Sequence, residues 1–251
     1  MVRPPSRLAH RLIWSTTHLF GLIVYLYILS DRQEGPWIEV QILQLSFYYP
    51  NKIDLLLRYK QDGLYSPSTP YAASKLAGDL HLITLYKRYK FPVIFTRSAN
   101  VYGIHQQLYR IIPRAIIYLK MKRKIQLHGN GKSERSFIHI RDVVNATLKI
   151  AEKGTDGDVY HISPEGDDIS IYAVVKVICE MMNHDFKTSV ELIDQNFGQD
   201  SKYSISSSKL RKDLNWKPKI SLQIGIKEMI NWVDNNWSEI SKMPLEYIHK
   251  K

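Results

Sequence analysis

The sequence predicts an α/β fold with a largely parallel sheet, and three observations carry that expectation. From about residue 70 onward, short apolar runs that suit strands alternate with longer stretches of helical periodicity. The spacing between successive runs is that of strand–helix–strand units. Turn-forming residues stand at the junctions, as in Ser66-Pro67-Ser68-Thr69-Pro70 and Gly129-Asn130-Gly131. The composition agrees. A chain of 251 residues with 44% hydrophobic and 24% charged residues is ordinary for a globular protein, which excludes disordered, collagen-like and low-complexity classes.

Taken in order, the elements read as follows. Leu12 to Leu29 is mostly apolar and follows Arg3, Arg7 and Arg11, a pattern shared with signal peptides and single membrane spans. Its continuous apolar part, Leu19 to Leu29, is about eleven residues, too short for a bilayer core of roughly 30 Å. Val24, Tyr25, Tyr27 and Ile28 suit a buried strand, so we read a central parallel strand rather than a membrane anchor. Tyr71 to Tyr89 reads as a helix, Val93 to Arg97 as a strand, and Ser98 to Gly103 as a loop after its carboxyl end. Ile111 to Met121 is a helix with Pro113 near its first turn. Ile125 to His128 and Ser136 to Ile140 are strands, and Asp142 is placed to cap a helix over Val143 to Glu152. Val159 to Ser163, the helix Ile171 to Met182, the strand Val190 to Ile193, and helices Ser206 to Leu214 and Leu222 to Trp237 complete the chain.

Charge and cysteine content narrow the function class. Lys and Arg number 35 against 24 acids, a formal +11 that favours anionic partners without choosing among them. The local run Lys120-Met121-Lys122-Arg123-Lys124 reads as a solvated helix end, and no nucleic-acid-binding signature accompanies it. One cysteine, Cys179, rules out a disulfide framework and a Cys-rich zinc site. A reducing, cytoplasmic location is the expectation, with no nucleic-acid partner, no metal and no membrane attachment.

Chemistry first shows at Tyr71-Ala72-Ala73-Ser74-Lys75. Tyr and Lys at i and i+4 lie on one helix face, a turn apart. An ammonium beside a phenol favours phenolate, and a tyrosine so tuned can take a proton from a sugar hydroxyl near neutral pH. Tyr-x-x-x-Lys also arises by chance on amphipathic helix edges, so the spacing alone leaves both readings open.

The surrounding motifs bear on that choice. After Pro70-Tyr71-Ala72-Ala73-Ser74-Lys75 come Arg97-Ser98-Ala99-Asn100-Val101-Tyr102-Gly103, then Gly129-Asn130-Gly131, Arg135 with Phe137-Ile138-His139, Asp142-Val143-Val144, and Asn215-Trp216-Lys217-Pro218. As an ordered set over about residues 64 to 237, they resemble the extended short-chain dehydrogenase/reductase family, in particular its nucleotide-sugar dehydratases and epimerases. The resemblance implies a Rossmann-like, mostly parallel sheet with a smaller C-terminal α/β region for substrate. It also implies an order along the chain: residues 1–63 a divergent remnant of the cofactor domain, 64–124 the part with the Tyr-x-x-x-Lys helix, 125–240 mainly the substrate region, and 241–251 a tail.

It further implies NAD as cofactor, a nucleotide-sugar substrate, and a homodimer as an open option. Tyr71 would be the base that deprotonates the sugar 4-hydroxyl. Lys75 would hold the nicotinamide ribose and lower the Tyr71 pKa, and Ser98 would border the nicotinamide. Asn100 and Arg135 would bind the substrate diphosphate, where a guanidinium forms paired charge-assisted hydrogen bonds. Arg110 stands where the family has a basic residue before Ile-Pro. Gln126 and His128 fall on the strand that touches the nucleotide base. Structural alternatives stand beside these: Asn100 as a turn former, Arg135 as a surface strand residue, and Asp142 as a cap rather than a catalyst.

Departures from the family pattern matter equally. Its later Arg-Pro-Gly-His-Asp-x-Arg-Tyr stretch stands here as Asn196-Phe197-Gly198-Gln199-Asp200-Ser201-Lys202-Tyr203, with a charge kept at Lys202. The Ser-Thr-Asp-Glu of dehydratases is best matched around Ser30-Asp31-Arg32, where Asp31 would protonate the leaving hydroxyl and Arg32 replaces the glutamate that removes the C5 proton. No Gly-rich dinucleotide fingerprint occurs, and only Gly21, Gly35 and Gly63 precede Tyr71, so an N-terminally incomplete cofactor half is expected. The resulting expectation is NAD-assisted C4 oxidation, water elimination and C6 reduction of an NDP-hexose such as dTDP-glucose. Two alternatives remain: a nucleotide-sugar 4-epimerase or decarboxylase, and a non-catalytic fragment or nucleotide-sugar-binding protein.

Overall fold

The computed structural model describes residues 12–15, 26–28, 39–41, 70–166, 168–195 and 202–246. In chain order the first elements are β1 (Leu12–Ser15), β2 (Leu26–Ile28), β3 (Glu39–Gln41), α1 (Pro70–Tyr89), β4 (Val93–Ser98), β5 (Asn100–Tyr102), α2 (Ile111–Lys120) and β6 (Ile125–His128). A single 3₁₀ turn at Gly129–Gly131 leads to β7 (Glu134–Arg135), β8 (Phe137–His139), α3 (Ile140–Lys153), β9 (Val159–Ile162), β10 (Ile169–Ser170) and α4 (Ile171–Met181). The chain continues through α5 (Phe186–Ser189), β11 (Val190–Ile193), β12 (Lys202–Tyr203), α6 (Ser208–Leu214), α7 (Leu222–Asn235) and α8 (Trp237–Ile240). Two compact units share these elements. The first comprises Met1–Ala99, Val143–Pro164 and Ile205–Lys217, and the second Asn100–Asp142, Glu165–Ser204 and Pro218–Lys251.

The first unit is built on β4. All six of its residues are buried, the mark of a parallel strand covered on both faces. It lies between β1 and β9, both parallel to it, with Leu12 opposite Val93 and Ser98 opposite Ile162. Leu82 of α1 packs with Val93 and Phe95, and Ile83, Leu85, Tyr86 and Val159 close around them. Pro70 heads α1, where its missing N–H is one the helix could not use, and Lys87 and Arg88 stand in the last turn against the carbonyl end of the dipole.

The α/β class with parallel strands is as the sequence indicates, but three local readings are corrected. The apolar stretch Leu12 to Leu29, read as one central parallel strand, contributes two strands: β1, parallel to β4 but at the edge of the described sheet β1-β4-β9, and β2, which pairs antiparallel with β3. The loop read over Ser98–Gly103 is largely strand: Ser98 still belongs to β4, and β5 pairs in parallel with β8 from Asn100 opposite Phe137 to Tyr102 opposite His139. Asp142 is not an N-cap. It lies in the first turn of α3, 4% exposed, and its two carboxylate oxygens each accept a backbone N–H at 3.0 Å, from Lys219 and Ile220. A buried carboxylate thus ties down the segment that leads into α7.

The second unit has its core among α2, α4 and α7. Ile112, Ala115, Ile116, Ile117 and Leu119 of α2 pack with Val174, Val175, Ile178 and Cys179 of α4 and with Ile226, Met229, Ile230 and Val233 of α7. The apolar periodicity of each helix supplies one buried face. Ser170 and Ser221 cap α4 and α7 by accepting the N–H of Ala173 and Ile224. Parallel β6 and β11, and the three-stranded group β10-β7-β12, flank this core. Gly225 in α7 has a specific cause. A Cβ there would overlap the hydroxyl and ring of Tyr102, which is 2% exposed, donates to the carbonyls of Ser221 and Leu222, and meets His139 edge-on at 5.3 Å.

Gly225→Ala therefore sets helix propensity against packing. Alanine favours a helix by about 1 kcal/mol, while overpacking a rigid core costs about 1–3 kcal/mol. Urea unfolding should show a net loss of stability for Gly225→Ala, whereas a gain would mean that Tyr102 moves aside freely.

Candidate active site

In the first unit, the site residues are set by α1 and β4. Tyr71 occupies the second position of α1 and Lys75 follows one turn later. Lys75 is 4% exposed. Burial lowers its pKa from 10.5 to about 8, against the opposing pull of the Asp79 carboxylate. Asp79 is itself buried and receives Arg97 of β4, whose Nη2 donates to Oδ2 at 2.5 Å. Across the sheet Arg97 stands in register with His161 of β9. Burial, then the Arg97 charge, pushes His161 down to about 4, with a backbone contact at Ser206 opposing. Ser98, the last residue of β4, is 3% exposed, and its hydroxyl has no hydrogen-bond partner among the described residues. A buried orphan hydroxyl at the carboxyl end of a central strand is a natural ligand contact, because ligands of such sheets bind there.

In the second unit, Asn100 opens β5. Its backbone N–H donates to the Ser136 carbonyl at 3.0 Å, and its buried side-chain Nδ2 has no hydrogen-bond partner among the described residues. Arg110 precedes α2 in an extended conformation and stacks its guanidinium over Tyr109 at 5.7 Å. Arg135 sits on β7 between β10 and β12, opposite Ile169 and Tyr203, and donates to the Glu134 carbonyl at 2.7 Å. Lys202, the cation kept where the family pattern has arginine, is engaged by acids: Glu134 at 3.0 Å and Asp168 at 3.5 Å, which raise its pKa. Ser136 also donates to Asp168. Gln126 is exposed and donates to Glu191 of the neighbouring strand at 3.0 Å.

A cavity of about 140 Å³ in the second unit gathers two of the expected residues, Gln126 and His128, with Arg114, Ser133, Gly131 and Ile171. Asn100, Arg110 and Arg135 do not line it. Arg114 is the residue that sequence reading missed. It lies four positions beyond Arg110 on α2, and that one-turn spacing is the signal that would have found it. Asp31 lies outside the described residues, as do Arg32 and the stretch 196–201. Among the described residues no cluster of acids, His and Cys forms a metal site, and no helix is long and apolar enough to cross a membrane.

Comparison with known proteins gives one picture. The family model described as GDP-mannose 4,6 dehydratase matches residues 57–229. The chain is 35% identical over 184 residues to dTDP-D-glucose 4,6-dehydratase of Mus musculus, covering 70% of this chain and 51% of that one. It is 30% identical over 230 residues to dTDP-glucose 4,6-dehydratase of Escherichia coli, covering 84% and 63%. Among solved structures, dTDP-glucose 4,6-dehydratase from Bacillus anthracis str. Ames in complex with NAD superposes with a TM-score of 0.67 at 28% identity, over 72% of this chain and 57% of that one. The chain thus spans between about half and three fifths of the length of these relatives.

The His161 geometry has a measurable consequence. Its folded pKa of about 4 lies below its ordinary 6.5, so between the two the unfolded chain binds the extra proton. The stability it contributes is full above about pH 6.5 and is lost as the pH falls through 4. Urea unfolding of the wild type should lose roughly 2–3 kcal/mol more between pH 6.5 and 4 than His161→Asn does. Parallel pH profiles for the two proteins would contradict this.

Proposed function

This chain belongs to the GDP-mannose 4,6 dehydratase family, and from that premise we propose that it acts on a nucleotide sugar by the 4,6-dehydratase route. The substrate would be an NDP-hexose such as dTDP-glucose and the cofactor NAD. The observation that carries the reading is Lys75: buried, one turn after Tyr71 on α1, with its hold on a proton weakened to about 8. Below about pH 8 that lysine is an ammonium, and an ammonium favours the phenolate form of an adjacent tyrosine.

The residues fit a dinucleotide's nicotinamide end. The buried ammonium of Lys75 and the orphan hydroxyl of Ser98 offer polar contacts that a ribose and a nicotinamide can use. NAD, when bound, supplies a hydride acceptor that later returns the hydride. Elimination also needs a base for the C5 proton, a place that this chain fills with Arg32 rather than glutamate; the chain's own groups would serve the other roles. Tyr71 takes the proton of the C4 hydroxyl as that carbon is oxidised. Asp31 donates the proton that lets the C6 hydroxyl leave as water. Arg135 and Asn100 hold the diphosphate, Arg110 adds a charge near it, and Gln126 and His128 face the base from the cavity. The reading includes a cytoplasmic setting and a homodimer.

A sister reaction is favoured by one specific residue. Arg32 stands where dehydratases carry the glutamate that removes the C5 proton, and a guanidinium stays protonated at ordinary pH. A 4-epimerase or decarboxylase does not need that base.

Incubation with NAD and dTDP-glucose should yield a 4-keto-6-deoxy sugar nucleotide, and Lys75→Met should lower the rate about 10²-fold or more. Conversion of a UDP-, CDP- or GDP-hexose to its C4 epimer instead would select the sister reaction. Absence of any product, with no heat of NAD binding in calorimetry, would overturn both.

A further inference from the structure

We propose that Arg114 determines base specificity: its guanidinium donates to a carbonyl oxygen of the nucleobase, so the cavity selects a base with a carbonyl beside a ring N–H, as in uracil and thymine, over adenine. The inference rests on the reading of the second-unit cavity as the place of the base. It deepens that reading with a residue outside the motifs that carry the family resemblance.

Three observations lead there. First, α2 sets Ile111 and Arg114 three positions apart on one helix face, and both line the cavity with Gln126 and His128 of β6. Second, Arg114 stands apart from the other arginines of its unit, each of which is engaged. Arg110 stacks over Tyr109 and Arg123 over Tyr118, Arg135 donates to the Glu134 carbonyl, and Arg141 pairs with Glu228. Among the described residues, no acceptor or aromatic ring engages the Arg114 guanidinium. The residue is half-buried, and Ile111, Leu127 and Ile171 give the cavity apolar walls. A guanidinium in such a place calls for an acceptor, and the ligand can bring one.

Third, Gln126 is oriented. A carboxylate can only accept, so Glu191, in register across on β11, holds Gln126 with Nε2 toward it at 3.0 Å. Oε1 is left as the acceptor of that side chain. The cavity thus combines donors from Arg114, an acceptor from Gln126 and apolar walls.

That combination fits the edge of one flat ring. At about 140 Å³ the cavity is well below the roughly 300–1,000 Å³ of a site that encloses a whole small molecule, so it takes a ring and leaves the rest of the substrate outside. Uracil and thymine set C=O beside N–H: the oxygen accepts from Arg114, and the N–H donates to Gln126. Adenine has no carbonyl and carries an amino group where that oxygen would stand, so donor would face donor. An Arg114 that served only as a positive charge would treat every diphosphate alike.

Calorimetric titration of the full chain with dTDP, UDP, ADP and inorganic pyrophosphate reads this without NAD or turnover. The wild type should bind dTDP and UDP roughly tenfold or more tighter than ADP. Arg114→Met should weaken dTDP and UDP by roughly tenfold and move ADP and pyrophosphate by about twofold or less. Should Arg114→Met fail to fold, Arg114→Lys carries the test: it keeps the charge and loses the planar fork, so its losses should again fall on dTDP and UDP. Equal losses for all four ligands would mean attraction to the diphosphate alone and overturn the proposal. Unchanged dTDP and UDP affinity in Arg114→Met would overturn it too, with the dehydratase reading untouched. A wild type that binds none of the four would overturn both the proposal and the cavity reading beneath it. The predicted selectivity in a chain that makes no 4-keto sugar would refute the dehydratase reading and leave the base site standing.

Discussion

The buried ion pair between Asp79 and Arg97 is the constraint on which the first unit turns. It ties α1 to β4 at a point where neither charge has recourse to water. Burying an ion costs several kcal/mol unless it is paired, and removing one partner of such a pair typically costs about 3–5 kcal/mol. Its position therefore fixes how α1 lies against the sheet. Lys75 is one turn from the pair on the helix, and Ser98 is one residue from it on the strand. The residues read as touching the cofactor are thus held from two elements by one interaction.

The second unit relies on a different anchor. Asp142 gathers the backbone N–H groups of Lys219 and Ile220 and so delivers the chain into α7 at a fixed place. There, Gly225 leaves room for Tyr102, whose hydroxyl reaches the first carbonyls of α7. Tyr102 ends β5, and Asn100 begins it, so the orphan amide of Asn100 inherits its position from packing two residues away. The cavity draws on another part of the unit, between α2 and β6, where Arg114 joins Gln126 and His128. The groups proposed to bind substrate here are held by packed elements rather than by long loops, which favours a fixed geometry.

Much of this was legible in the sequence, and the exceptions have physical causes. Helices α1, α2, α4, α6 and α7 and the strands β4, β6, β9 and β11 follow from apolar periodicity and turn residues within one or two positions, whereas α3 begins three residues before its reading and the four-residue helices α5 and α8 are too short to give a periodic signal. β5 was missed because three residues with a Gly after them give no periodic signal; only its partner β8 makes them a strand. Asp142 carries every local sign of a helix cap, and its real partners lie more than seventy residues further on. At the site, Tyr-x-x-x-Lys was visible as spacing, but burial of Lys75 and the link from Asp79 to Arg97 were not, since a helix acid and a strand arginine 18 positions apart meet only in the fold. Lys202 shows the converse: its charge was legible, its commitment to Glu134 and Asp168 was not.

The central claim is that Lys75 is held in a poised charge state to serve a dinucleotide. Adding NAD to the full chain while following the Lys75 Cε resonance at pH 7.5 tests it most directly. The account predicts a saturable shift of that resonance, since a ribose hydroxyl or a nearby cationic ring changes both the hydrogen bonding and the field at the ammonium. A Lys75 signal that stays fixed while other resonances report NAD binding would contradict it.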